Sequence, residues 1–272
     1  MRKRRFLIVL AAFLAVSGLA FYDGLTIRRY EIKSSKIKGA IRIVQLSDLH
    51  GYPYGGDQAA LLQAIAAQEP DLIALTGDIA DDLRPIEGVE ALLKGLKVLG
   101  TPCFYVSGNH EIWSGRAEEI KALFRSYGVR VLEGESERLL IRGQALRIAG
   151  VDDPSLGNQA FAQGLKAALF DPSEAFTLLL SHRPERLEEY GAFEWDLLLA
   201  GHAHGGQVRL PPFVNGLYAP NQGLFPEHAG GLYELSGRTM VVSRGLTRRL
   251  WSTRLPRIFN PPELVVIELL AG

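Results

Sequence analysis

Acidic, amide and imidazole side chains recur at five points of the chain, each directly after a short apolar run. The five segments are Asp48-Leu-His50, Gly77-Asp78, Gly108-Asn-His-Glu111, His182 and Gly201-His-Ala-His204. Each segment alone has a structural explanation, because Gly, Asn and Asp are common turn residues. Turn chemistry gives no reason for histidine to follow at four of the five points. Together the segments therefore indicate a binding site.

The residue types indicate what this site would bind. Imidazole nitrogens mixed with carboxylate and amide oxygens, without a thiolate, suit Mn, Fe, Zn or Co rather than calcium or a cysteine-bound zinc. The candidate ligands are Asp48, His50, Asp78, Asn109, His182, His202 and His204. Seven ligands exceed what one such ion needs, so we expect two divalent ions, with Mn favoured. A pair bridged by a carboxylate and a water clamps the attacking and leaving oxygens in phosphoryl transfer.

The segments that must position these residues alternate between strand and helix in the first half of the chain. Apolar runs predict strands at 41–47, 71–76 and 103–107, and helical periodicity predicts helices at 57–68, 85–98 and 116–127. This alternation predicts parallel βαβ units. Ligands bind at the carboxyl ends of strands in open α/β sheets, so the polar segments can converge on one crevice.

The second half is richer in predicted strands. A hairpin is expected at 138–142 and 145–150, followed by strands at 176–181, 196–200, 206–210, 231–235, 239–243 and 264–269. This order favours an α/β fold, a four-layer α-β-β-α sandwich of two mixed sheets flanked by helices.

In their order along the chain, the five polar segments resemble the signature of the calcineurin-like metallophosphoesterases, over nearly all of residues 41 to 270. The resemblance implies the following roles. Asp48, His50 and His204 would bind one metal, Asn109, His182 and His202 the other, and Asp78 would bridge them. His110 would contact the phosphate or protonate the leaving group, and Asp81 would orient that histidine. A loop-capping role for Asp81 is the alternative.

Three further segments refine the resemblance. Residues 201–207, Ser243-Arg-Gly245 and Asn260-Pro-Pro262 are similar to the membrane-anchored bacterial branch of the family, with phosphodiesterase-like enzymes and the UDP-2,3-diacylglucosamine hydrolases of lipid A biosynthesis. The implied reaction is hydrolysis of a phosphoester or pyrophosphate bond of an amphiphilic or lipid-linked substrate by a metal-bridged hydroxide. A phosphodiesterase or phosphomonoesterase with a soluble substrate is the alternative, and a non-catalytic metal-binding scaffold is a third interpretation.

The basic segment 244–259 is the predicted substrate contact. Arginines interleave there with apolar residues, so Arg244, Arg248, Arg249 and Trp251 are expected to grip the phosphate and acyl chains of such a substrate. A solvated basic loop whose apolar residues cover the core is the alternative. In contrast, His228 is expected to be a surface or substrate-side residue with no metal role, and Glu111 is expected to be structural rather than catalytic.

The N-terminus predicts a membrane anchor. Four basic residues, 2–5, precede seventeen uncharged residues, 6–22, which as a helix would span about 26 Å of a hydrocarbon core of roughly 30 Å. The expected divisions are a single N-terminal membrane pass over 1–22, a polar connector over 23–39 and a catalytic domain over 40–272. A cleaved signal peptide is the alternative, and the side of the membrane is left open.

Composition limits the partners. The 272 residues include 30 Lys and Arg against 30 Asp and Glu, so the formal net charge is zero. No global field attracts nucleic acid, and none is expected as a partner. The single cysteine, Cys103, excludes an internal disulfide.

Overall fold

The computed structural model describes residues 2–248 and 256–272, which form seven α-helices and fourteen strands. The helices are α1 Arg2–Ala20, α2 Ala59–Ala66, α3 Glu87–Leu99, α4 Asn109–Trp113, α5 Ala117–Ser126, α6 Asn158–Leu169 and α7 Leu187–Gly191. The strands are β1 Thr26–Ser34, β2 Ile41–Leu46, β3 Leu72–Thr76, β4 Cys103–Val106, β5 Arg130–Val131, β6 Glu135–Ile141, β7 Gln144–Gly150, β8 Phe176–Leu180, β9 Leu197–Ala200, β10 Tyr218–Ala219, β11 Gly223–Leu224, β12 Gly231–Leu235, β13 Arg238–Val242 and β14 Glu263–Ala271.

Two six-stranded mixed sheets form the centre of the fold. The first has the order β1-β14-β2-β3-β4-β5, with β14 antiparallel to β2 and β2 to β5 parallel. The second has the order β12-β13-β9-β8-β7-β6, with β13, β9, β8 and β7 parallel and antiparallel strands at both edges. A small hairpin, β10 with β11, stands apart from both sheets. The expected α/β fold of two mixed sheets flanked by helices is confirmed.

Period-two alternation along the strands creates three apolar layers. On β3, Leu72 and Ala74 face the second sheet, whereas Ile73 and Leu75 pack under α2, α3 and α5. The outer face of the second sheet packs against Phe161 and Leu165 of α6 and their neighbours. Because both sheets are covered on both faces, their parallel strands are almost continuously apolar.

Two strand expectations were wrong. Residues 23–39 were expected to be a connector, but they contain β1, which pairs with β14 over nine residues. Exposed charged residues of β1, such as Arg28 and Arg29, made the segment look like a polar connector in the sequence. They are typical of a strand at the edge of a sheet, where charges prevent pairing with further strands.

Residues 206–210 do not form a strand. Only isolated bridges occur there, at Val208 and Leu210, because the chain turns through left-handed glycines just before them.

The expected membrane helix and membrane localisation were also wrong. Among the residues that the structure describes, none of the helices has the length and apolar character needed to cross a bilayer. Helix α1 includes the basic residues 2–5 and ends at Ala20, so its uncharged part is shorter than the run 6–22. That part spans about 22 Å, against a hydrocarbon core of roughly 30 Å.

A buried charge network ties the two sheets together beside the polar strand ends. The ammonium of Lys121 on α5 lies 2.7 Å from Asp152, which follows β7, and 2.6 Å from Glu133. Ser107, which follows β4, donates to the other oxygen of Asp152 at 2.6 Å. Although burial opposes a charged lysine, Asp152 and Glu133 raise the pKa of Lys121.

Removal of the Lys121 ammonium should destabilise the folded protein. We expect Lys121→Met to lower the free energy of unfolding by about 3 kcal/mol, because the buried Asp152 carboxylate loses its countercharge. The matched control is Lys94→Met on α3, whose side chain is 63% exposed and pairs with Glu90 at 3.3 Å. Urea denaturation of both variants measures the difference, and equal stability of the two variants would contradict this account.

Candidate metal centre

The polar segments that follow β2, β3, β4, β8 and β9 meet at the carboxyl ends of these strands, in one crevice between the two sheets. Backbone hydrogen bonds hold the segments together. The N–H of His50 donates to the carbonyl of Asp78 at 2.8 Å within the first sheet. Between the sheets, the N–H of His202 donates to the carboxylate of Asp48 at 3.0 Å. The crevice is therefore shaped by both sheets.

Four overlapping groups of potential metal ligands occur among the described residues. Two of them include His110, and the other two consist only of the predicted ligands. Asp48, His50 and His204 form the first, with ligand atoms within 4.8 Å of one another. The Nε2 of His204 is 3.4 Å from Oδ1 of Asp48, and the rings of His50 and His204 stack with centroids 5.3 Å apart. This group combines one carboxylate with two imidazoles.

Asp78, His182 and His202 form the second group by the same distance criterion. The Oδ2 of Asp78 lies 3.1 Å from Nε2 of His182 and 3.7 Å from Nε2 of His50. This single carboxylate therefore stands between the two groups. Asn109, the first residue of α4, is 2% exposed in the same crevice.

The donor set fits divalent cations. Four buried atoms that could act as ligands have no hydrogen-bond partner among the described residues: Nε2 of His50, Nε2 of His182, Nδ1 of His204 and Oδ1 of Asn109. Buried polar atoms without partners are costly, and a bound cation would satisfy them.

The charge states of two of the candidate imidazoles suit cations, whereas for His182 burial opposes protonation but Asp78 raises the pKa to about 10. Burial raises the pKa of Asp48, whose charge is poorly compensated. Burial, with the neighbouring His182 and Arg183, lowers the pKa of His202 to about 3, and burial lowers the pKa of His204 well below its ordinary value. His202 and His204 are therefore neutral near pH 7, which is the form of imidazole that binds metals.

A buried glutamate aligns the loops after β3 and β4. The carboxylate of Glu111 accepts backbone N–H bonds at 2.8 to 2.9 Å from Gly108, Asp78, Ile79 and Ala80. Burial and the Asp78 carboxylate raise the pKa of Glu111 to about 7, against the effect of these bonds. Gly108 is required by close approach, because a Cβ there would lie 2.3 Å from Oδ1 of Asp78.

Two neighbouring aspartates orient two different histidines. The expected pairing of Asp81 with His110 is not the one observed, because Asp81 Oδ2 lies 2.8 Å from Nδ1 of His50 and 3.8 Å from that of His110. Asp82, which sequence reasoning missed, contacts Nδ1 of His110 at 2.6 Å. Burial opposes protonation of His110, but Asp78, Asp82 and Asp81 together raise its pKa.

Arg183 is a second residue that sequence reasoning missed. Its guanidinium forms a two-pronged ion pair with the buried Asp153, with contacts of 2.6 and 3.0 Å. Its Nη1 lies 2.8 Å from Nε2 of His202, and Nη1 also donates to Oδ1 of Asn221 at 2.5 Å. The position directly after His182 was the one available signal for Arg183, because Asp153 and Asn221 are distant in the sequence.

Of the four residues that the sequence predicted as substrate contacts, Arg244 and Arg248 do not share one environment. Arg244 is 6% exposed, and its Nε donates to the buried Glu263 at 2.5 Å, so it stabilises the fold and is not open to a ligand. Arg248 lies over the rings of Tyr52 and Tyr54 and 3.8 Å from Asp23. Arg249 and Trp251 lie outside the described residues.

Comparisons with known proteins agree with this geometry. The sequence profile described as calcineurin-like phosphoesterase matches residues 41–206. The chain is 32% identical to YkuE, an uncharacterised metallophosphoesterase of Bacillus subtilis, over 99% of the chain and 98% of the relative. An uncharacterised metallophosphoesterase of Aquifex aeolicus is also 32% identical, over 90% of the chain and 92% of the relative.

A solved structure supports the fold. The crystal structure of a dimetal phosphatase from Danio rerio superposes with a TM-score of 0.51 and 14% identity, over 76% of this chain and 88% of that one. At this identity the likeness concerns the fold alone.

Replacement of Asp81 and replacement of Asp82 should affect Mn affinity differently. We expect Asp81→Asn to weaken Mn affinity by about tenfold or more, because the partner that orients His50 loses its charge. Asp82→Asn is the matched control, since it contacts His110, and its Mn affinity should stay near that of the wild type. Calorimetric titration of Mn into each variant measures both. The opposite order would mean that Asp81 does not support a metal ligand.

Proposed function

Because the chain belongs to the calcineurin-like phosphoesterase family and is a metal-dependent phosphohydrolase, we propose that it hydrolyses a phosphoester or pyrophosphate bond in the crevice between the two sheets. The observation that supports the site most directly is the presence of two ligand groups with Asp78 between them.

Each ion of the pair that the family implies would have its own ligands. We assign Asp48, His50 and His204 to one ion, Asn109, His182 and His202 to the other, and Asp78 to both. Bound there, the pair would supply Lewis acidity that activates water and neutralises the phosphoryl oxygens. We favour Mn among the ions that suit imidazole and carboxylate ligands.

His110 is the proposed acid for the leaving group. Asp82 occupies its Nδ1, so Nε2 is the nitrogen available to a substrate, and the ring lies 4.5 Å from the His50 ring. In this position His110 could give a proton to the departing oxygen. Asp82 would hold the ring in place and favour its protonated form.

Arg183 is the proposed positioning group on the opposite side of the crevice. The ion pair with Asp153 holds the guanidinium, which is 5% exposed and approaches Nε2 of His202. For Nδ1 of His202 to bind an ion, the ring proton must be on Nε2, which would donate it to Oδ1 of Asn221 at 2.8 Å. Arg183 donates to the same oxygen at 2.5 Å, so it would hold Asn221 and, through it, the tautomer of His202 that can bind a metal.

For the substrate, we propose an amphiphilic phosphate, of which UDP-2,3-diacylglucosamine is one example. The support is a set of exposed apolar side chains on the loop that follows His204: Leu210, Phe213, Leu224 and Phe225, each more than half exposed. This loop also carries Asn221, which contacts His202. The apolar side chains are therefore on the same segment as a contact to the site.

The first experiment tests the reaction. With Mn added, the purified protein should hydrolyse bis(4-nitrophenyl) phosphate, and a chelator should abolish turnover until Mn is restored. Detergent-dispersed UDP-2,3-diacylglucosamine should be hydrolysed with a higher kcat/KM than a soluble nucleotide diester or a phosphomonoester. A higher kcat/KM for the soluble diester or the monoester would show that the substrate is not an amphiphilic phosphate. Two bound ions with no hydrolysis of any substrate would favour a metal-binding scaffold.

Replacement of His110 should separate catalysis from metal binding. We expect His110→Ala to lower kcat by about 10² to 10⁴, the usual effect of losing a positioned general acid, while its metal content stays near that of the wild type. Asp78→Ala should lose both metal and activity. Elemental analysis together with initial rates measures both effects. An empty site in His110→Ala would make His110 a ligand and would contradict its role as an acid.

A further inference from the structure

A groove of about 740 Å³ opens beside the metal centre, between α7 and the loop 221–228. Asn221 belongs to its wall, and Oδ1 of Asn221 lies 2.8 Å from Nε2 of His202. Phe225 contributes an apolar patch to the same wall. A phosphate held in the crevice would therefore have its attached group beside this groove.

Carboxylates dominate the charge of the groove. Glu185, Glu188, Glu189 and Glu227 line it, with Arg186 as the one cation. Arg186 already has partners within the protein, because it pairs with Glu189 at 3.1 Å and lies over the ring of Phe161. The net charge of the groove is negative, although the substrate of the neighbouring centre carries a phosphate.

A buried polar side chain without a partner also faces the groove. His228 lines it and is 7% exposed, and neither ring nitrogen has a hydrogen-bond partner among the described residues. The ring packs edge-on against Tyr233, and burial lowers the pKa of His228, so the imidazole is neutral. A neutral imidazole nitrogen can accept a hydrogen bond from a ligand.

Glu185 also has a carboxylate oxygen without a hydrogen-bond partner. Its Oε2 is buried without a hydrogen-bond partner, and its Oε1 is 3.5 Å from Nη1 of Arg183. Arg183 in turn contacts His202, so Glu185 lies at the end of the groove nearest the metal centre. Oε2 of Glu185 and a neutral nitrogen of His228 can each accept a hydrogen bond, and the excess of carboxylates in the groove favours a cationic donor, although burial raises the pKa of Glu185.

We propose that this groove binds an ammonium group carried by the substrate on the alcohol esterified to its phosphate. The inference rests on the proposed function and narrows its amphiphilic phosphate to an amine-bearing phosphoester, which excludes UDP-2,3-diacylglucosamine because the nitrogen of that molecule is acylated. An ammonium group supplies three donors, which suit Glu185, His228 and the remaining carboxylates. A metal ion is the competing cation, but none of the clusters of potential ligands found among the described residues includes these groove residues.

Binding of two phosphonates tests the groove independently of turnover, because their carbon–phosphorus bond is not hydrolysed by this chemistry. The probes are 2-aminoethylphosphonate and ethylphosphonate, which differ by one amine. In calorimetry with Mn present, we expect the wild type to bind the amine about tenfold more tightly. The combined variant Glu185→Gln, Glu188→Gln, Glu227→Gln should bind the two probes equally.

Glu174→Gln serves as the matched control, because Glu174 is exposed and lies outside the groove. Its preference for the amine should equal that of the wild type. Equal affinities in the wild type, absence of binding by both probes, or a preference that survives in the triple variant would each overturn the inference.

A parallel assay keeps the two proposals separate. With Mn added, 4-nitrophenyl ethyl phosphate has no amine, so its hydrolysis by the wild type reports on the metal centre and not on the groove. If this ester were inert while the phosphonate preference remained, the proposed reaction would fail and the ammonium groove would stand.

Discussion

The position of the metal centre depends on the bonds that one buried carboxylate makes to the backbone. Glu111 accepts four N–H groups from the loops after β3 and β4, and these loops carry Asp78, Asn109 and His110. The bond from the N–H of His110 to Asp78 Oδ1 completes the connection. A glutamate outside the metal centre therefore sets the distances within it.

The loops themselves are strained. Five candidate ligands have left-handed backbone conformations, with φ between +48° and +67°: Asp48, His50, Asp78, His202 and His204. Histidine in this region costs about 1 kcal/mol or more, and aspartate somewhat less. These kinks follow β2, β3 and β9, whereas Asn109 after β4 and His182 after β8 are not left-handed. The packed sheets stabilise the strained loops, so the accuracy of the site depends on the apolar layers.

The sequence predicted the parts of this site that depend on local order. Polar residues at the ends of apolar strands indicated a crevice and its seven candidate ligands, since side chains at parallel strand ends must converge. Contacts between distant segments were not predictable in this way. Asp81 and Asp82 are adjacent, and only the path of their loop decides which one faces His50 and which one faces His110. Arg183 depends on Asp153 and Asn221, and β1 depends on β14, both through pairings invisible to local patterns.

The pairing of β1 with β14 has a consequence for biosynthesis. Thr26 lies opposite Glu263, and β14 is inserted between β1 and β2, although it comes last among the strands that the structure describes. The first sheet therefore cannot close while the ribosome still holds residues 263–271. Until release, β1 and β2 present unpaired edges, which favour aggregation. Contacts at such sequence separation also slow folding, so this sheet would be completed late.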